Sequence, residues 1–141
     1  MKGYSLGMLF ITTLTILSLS SHATYCQTSA DTAIIDQLYA KSKTFWYTNR
    51  DSSIFYLKQV EKLSGKQNYA RGNGYASYGL GWHEVILFKR FQYLTKALEW
   101  FEKSNHSLGK AVALTQIGEI YFVLGEEEKF KEYTLRSLQI Q

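Results

Sequence analysis

Few residues of this chain combine the types and the spacing that chemistry requires. His83 and Glu84 are adjacent, but a zinc-protease pair needs a second histidine four residues on, and Leu87 stands there. His106 falls in a turn-forming run, Ser104-Asn105-His106-Ser107, without a visible ligand cluster around it. His22, the third histidine, lies near the N-terminus. Gly72-Asn73-Gly74 with Gly79 and Gly81 imitates a phosphate loop. Such loops leave a strand and enter a helix, and neither a preceding strand pattern nor a Gly-Lys-Ser/Thr run is present. Helix packing is the better reading of these glycines. Glu126-Glu127-Glu128 reads as a solvated first helical turn, since paired acid–base carboxylates need a pocket. Asn105-His106-Ser107 is also a glycosylation sequon, relevant only in a glycosylating host. Neither catalysis nor a cofactor or metal is expected. Recognition remains, and its candidates are Tyr75, Tyr78 and Trp82, an aromatic stripe at helical spacing. Two readings of it stand open: packed core, or a half-wet binding surface that uses both ring and hydroxyl.

Those side chains must be positioned by helices. The 141 residues contain no proline, are 45% hydrophobic and 16% aromatic, and suit one folded domain with a modest core. The periodicity predicts a helix from Asp31 to about Tyr47, through Ile34, Leu38, Phe45 and Trp46. After the turn Thr48-Asn49-Arg50-Asp51, capped by Asp51 or Ser52, a second helix follows through Ile54, Leu57, Val60 and Leu63. Gly65 is expected as its left-handed C-cap. A third helix is expected from Asn68 to about Lys89, and a fourth through Leu94, Ala97, Leu98 and Phe101. A fifth should span Leu108–Leu124, stopped by Gly125, and a sixth Glu126–Ile140 with acids in its first turn.

The first residues read differently. Lys2, the apolar run Leu6–Leu19 and the small-residue exit Ser21-His22-Ala23 have the order of a secretory signal peptide over 1–23. A short linker, 24–30, follows. The apolar run falls short of the roughly 20 residues that span a membrane. The alternative is an uncleaved anchor, the one case in which a membrane would be a partner. Cleavage would leave a net charge of +3, against +4 for the whole chain, too mild to imply nucleic acid. The single cysteine, Cys26, cannot close an internal disulfide. The bulky Tyr25 before it disfavours lipidation.

The helix pairs overlay on one another. Ser53, Ala97 and Phe130 share one position, Leu57, Phe101 and Thr134 the next, and Val60, Ser104 and Ser137 the third. Ala97 and Phe130 are 33 residues apart, and Leu80-Gly81 and Ile117-Gly118 recur in the preceding helices. This pattern resembles the tetratricopeptide repeat over about residues 31–140. It is most specific in Ile117-Gly118, Tyr121, Gly125, Tyr133 and Ser137, and fair in Gly81, Ala97, Phe101 and Ser104. Phe130 departs, being large where the family has alanine, and Gly81 stands four residues too far from Ala97, a gap that one extra helical turn would fill. A six-helix bundle with incidental glycines is the rival architecture.

The resemblance implies an all-α solenoid of about three helix pairs over 31–141. It implies packing roles for Gly81, Ala97, Phe101, Gly118, Tyr121 and Gly125. Gly118 would allow close helix approach, and Gly125 would end its helix. The first helix of each pair would line a groove for a protein or peptide, at Tyr75, Tyr78, Trp82, Val112, Thr115, Glu119 and Phe122. The pattern is also similar to exported bacterial arrays that precede a sensor histidine kinase or a transcriptional regulator. A periplasmic or secreted scaffold is therefore expected, and the lack of a polar capping helix points to a truncated product or a covered end. The alternative is a structural piece that stacks on its own copies through Phe130, Tyr133 and Leu138 of the last helix. N-terminal sequencing of the exported protein should find a chain starting just after Ala23. A chain still beginning at Met1 in the membrane fraction would favour the anchor.

Overall fold

The computed structural model describes residues 31–140; the leader, the linker with Cys26, and Gln141 lie outside the described residues. Among the described residues the protein is all-α, with six helices and no strand. Helix α1 covers 31–43, α2 Arg50–Gln67, α3 Ala70–His83, α4 Leu87–Lys103, α5 Ser107–Val123 and α6 Glu127–Leu138. From α2 on, the connections are two or three residues long, so successive helices fold back on one another. Contacts among α2–α6 join chain neighbours, and α3 also touches α5.

Capping sets the helix ends. Asn49, not Asp51 or Ser52, starts α2: its side chain accepts from the Ser52 amide at 2.9 Å. The expected C-cap Gly65 lies inside α2, and the left-handed residue is Asn68, φ 51°. There the Tyr69 amide reaches back to the Ser64 carbonyl at 3.0 Å. Asn105 (φ 49°) after α4 and Gly125 (φ 76°) after α5 repeat this turn, with His106 N donating to Phe101 O and Glu126 N to Tyr121 O. Asparagine tolerates this conformation because its short polar side chain bonds locally.

The expected third helix, 68–89, is shorter. It stops at His83 and the chain extends through 84–86 before α4. Two side chains explain the break. Glu84 Oε1 accepts from the Ile86 amide at 3.0 Å, and Arg50 Nη2 donates to the orphan His83 carbonyl at 2.8 Å. Helix α3 ends two residues after Gly81, and the extra spacing before Ala97 is taken up inside α4, which has 17 residues against 12 in α6. Gly81 consequently faces Tyr93 and Leu94 rather than Ala97. The first helix also ends early, with Phe45 and Trp46 in a turned segment, 44–48.

The core has two centres. Ile35, Val60 and Ala76 join α1, α2 and α3. Tyr78, Leu94, Ala97, Phe101, Ala113, Ile117 and Ile120 join α3, α4 and α5. Phe101 is 1% exposed and lies between two helix backbones. A methyl group at Gly74 of α3 or at Gly109 of α5 would sit 2.5 Å from its ring.

Gly118 behaves otherwise, which corrects the close-approach expectation. It is buried, but a methyl there would meet Tyr133 Cβ at 3.4 Å and Phe130 at 3.7 Å, ordinary contact distances. Phe130, large where the resemblance calls for alanine, helps hold α6 off. Gly118→Ala should therefore be neutral or stabilise by up to about 1 kcal/mol through helix propensity. Gly74→Ala and Gly109→Ala should each cost about 1–3 kcal/mol by overpacking. Urea unfolding of the three variants checks this, and a Gly118→Ala protein as weak as the other two would refute the distinction.

Candidate aromatic groove

The aromatic stripe of α3 meets α1 and α5 in a groove. Tyr39, Lys43 and Trp46 line it from the first helix and its turn, Tyr75 and Tyr78 from α3, and His106, Leu108 and Val112 from the start of α5. Its volume is about 280 Å³, with Phe101 among its walls. The periods explain the convergence. Tyr39 and Lys43 are one helical turn apart, as are Leu108 and Val112, while Tyr75 and Tyr78 are three residues apart on α3.

The rings are ordered by stacking. Tyr39 and Tyr75 lie parallel with centroids 4.2 Å apart, and Trp46 stacks on Trp82 at 5.3 Å and tilts against Tyr78 at 5.8 Å. Lys43 Nζ lies 5.2 Å from the Tyr39 ring centre, a cation–π distance. Burial, reinforced by Tyr78 and Tyr75, drives the Tyr39 hydroxyl far above its ordinary range, so it stays a neutral donor. The Trp46 indole N–H is buried and has no hydrogen-bond partner. At the other end an ion pair joins Arg71 to Asp36 at 2.8 Å, and Tyr69 donates to Asp36 at 3.1 Å. Burial first, and Asp36 second, push the Tyr69 hydroxyl up to about 12.

His106 is both a groove wall and a helix cap. Its Nδ1 accepts from the Gly109 amide at 2.8 Å, and its Nε2 lies 3.2 Å from the Tyr75 hydroxyl. An accepting Nδ1 requires the neutral ring. Burial and then Arg71 accordingly lower its pKa, against an opposing pull from Asp36. His83, buried, shares a 2.8 Å hydrogen bond with Ser53, and burial followed by Arg50 lowers its pKa as well. Neither histidine was legible as a structural hydrogen-bonding group, because its partners come from other elements or from the backbone.

The expected site residues divide. Tyr75 and Tyr78 line the groove with Val112, and Trp82 lies at its edge, stacked on Trp46 and edge-on to Tyr47 at 6.2 Å. Thr115, Glu119 and Phe122 do not join them. They line a separate cavity of about 360 Å³ with Phe130 and Thr134 of α6. All five α5 positions share one stripe at helical spacing, but its neighbours change along the helix. Leu108 and Val112 lie beside the α1–α3 aromatics, whereas Thr115 is held to Ser137 of α6 at 2.9 Å. Tyr39, Lys43 and Trp46 were missed because nothing in their own segment marks them as facing α3. On the last helix, Phe130 packs on Phe122 and Tyr133 on Tyr121, while Leu138 is exposed.

No three metal-ligating side chains converge among the described residues, and no described helix is long and apolar enough to cross a membrane. No family model, curated protein or solved structure matches the chain.

Both histidines have lowered folded-state pKa values, so protonation favours the unfolded chain. Stability should be full above the unfolded value of about 6.5. It should decline as pH falls below that value, until the folded rings protonate too. Thermal melts from pH 8 to 5 should show this decline, and it should shrink in His83→Gln/His106→Asn. A melting temperature that rises on acidification would contradict the assignment.

Proposed function

We propose that this chain is a tetratricopeptide-like helix-pair module that holds a protein or peptide segment in the α1–α3–α5 aromatic groove, without a covalent step. Three kinds of support converge: consecutive short-linked helix pairs, contacts confined largely to chain neighbours, and the overlay of Ala97 and Phe101 on the other pairs. The observation that carries the binding reading is the groove itself. It presents stacked rings, neutral hydroxyls and a lysine at the rim. Such a surface fits an apolar or aromatic side chain, with the tyrosine hydroxyls available to a polar group beside it. The leader pattern of residues 1–23 supports a reading outside the cytoplasm, and the resemblance to exported repeat arrays supports a role in a bacterial sensory or regulatory assembly.

Selection from a displayed random-peptide library tests the reading, with Trp46 and Trp82 fluorescence as the direct readout. Enriched peptides should carry an aromatic or branched apolar residue. Leu108→Lys alters an exposed groove wall and leaves the core intact, so it should weaken their binding at least tenfold, about 1.4 kcal/mol. Failure to enrich any peptide, or binding indifferent to Leu108→Lys, would overturn the assignment of this groove.

A further inference from the structure

One side chain both caps a helix and walls the groove. The His106 imidazole supplies the side-chain cap of α5, where its Nδ1 accepts from the Gly109 amide at 2.8 Å. The same ring lines the groove beside Leu108, Gly109 and Val112, which stand in the first turns that this cap starts. Tyr75 meets the ring edge-on at 5.5 Å, and Phe101 tilts against it at 5.4 Å. A neutral imidazole that accepts at Nδ1 carries its hydrogen on Nε2, and donates it to the Tyr75 hydroxyl 3.2 Å away.

The next proton can enter only at Nδ1, where the Gly109 amide already points. Two N–H groups would then face each other at the positive end of the α5 dipole. Turning the ring over gives no relief, because Cδ2–H would then meet the amide. Space is also short: a methyl at Gly109 would lie 2.5 Å from Nδ1 and from the Phe101 ring. The charges around the ring do not offset this. Asp36 of α1 is engaged by Arg71 at 2.8 Å and by Tyr69 at 3.1 Å, while Arg71 of α3 disfavours a second cation. Lys43 of α1 lines the same groove, and its tyrosines, Tyr39, Tyr75 and Tyr78, are held neutral by burial. From α4 the ring meets Phe101, and from α5 the Gly109 amide. We infer that His106 is a proton-operated latch on the groove. The neutral ring holds the first turn of α5 and its Leu108 wall in place, and the charged ring releases both, together with the occupant. The inference rests on the groove being the binding site.

NMR of the nitrogen-labelled full chain, titrated with N-acetyl-phenylalaninamide, tests it. This aromatic probe is uncharged, so a pH effect on its binding comes from the protein. At about pH 7.5 it should bind and shift the Leu108 and Val112 amides. At about pH 5 its dissociation constant should be at least about threefold higher, because charged rings are lost to binding. By reciprocity, saturating probe should lower the midpoint at which His106 itself titrates. The Gly109 amide should lose exchange protection across that titration, while the Leu94 and Ala97 amides of α4 keep theirs. His106→Asn retains an acceptor for Gly109 that takes up no proton. Whatever its absolute affinity, the ratio of its dissociation constants at the two pH values should fall close to one. His83→Gln, at a ring bonded to Ser53 outside the groove, should keep the full ratio. Equal affinity at both pH values, or a ratio that survives His106→Asn or vanishes in His83→Gln, would overturn the latch. So would Gly109 protection that ignores the titration, or that is lost together with α4. A probe that does not bind at pH 7.5 would instead overturn the groove, and the latch with it.

Discussion

The packing of this protein turns on the Phe101 ring. It lies between the backbones of α3 and α5, where Gly74 and Gly109 leave no room for even a methyl group. Tyr75 meets it edge-on at 5.7 Å and His106 tilts over it at 5.4 Å. The carbonyl of Phe101 itself accepts from the His106 amide in the turn that ends α4. One residue thus sets the distance between α3 and α5, closes α4 and fixes the imidazole that opens α5. Removing such a ring would cost about 3–5 kcal/mol, a large part of the stability of a domain this size.

The turns extend this order along the chain. Three helix ends use a left-handed residue and the same pair of backbone hydrogen bonds. The α3–α4 connection differs because Glu84 and Arg50 satisfy the backbone there with side chains. Arg50 starts α2 and His83 ends α3, so this bond also secures one helix pair to the next. Nearest-neighbour packing dominates among α2–α6, and contacts that skip one helix, α3–α5 at Phe101 and α1–α3 at Tyr39–Tyr75, are the longer-range exception.

The aromatic groove is a consequence of that exception. Bringing α5 against α3 places Leu108 and Val112 beside Tyr75, and α1 supplies the opposite wall with Tyr39 stacked on Tyr75. Most groove hydroxyls are kept neutral by burial, and charge is confined to Lys43 and the Asp36–Arg71 pair. The extended 84–86 segment turns Val85 and Ile86 outward instead of continuing a helix that would have buried part of them.

Much of the helical order was legible in the sequence. Periodic apolar residues placed α4, α5 and α6 closely, because a one-sided helix must repeat every three to four residues whatever it packs against. Gly125 announced its turn, since glycine enters the left-handed region without steric cost. Tyr75 and Tyr78 were legible as a stripe. The end of α3 was not, because the bonds that stop it come from Arg50, 33 residues before His83. Nor could the sequence tell a glycine under contact from one with space around it. Gly74 and Gly118 look alike in the chain, and only the Phe101 ring beside one and the gap to Tyr133 beside the other separate them. The same holds for the groove. Periodicity assigns a residue to a face of its own helix, but which neighbour that face meets is decided by how the helices cross, and Thr115 meets α6 while Val112 meets the aromatics.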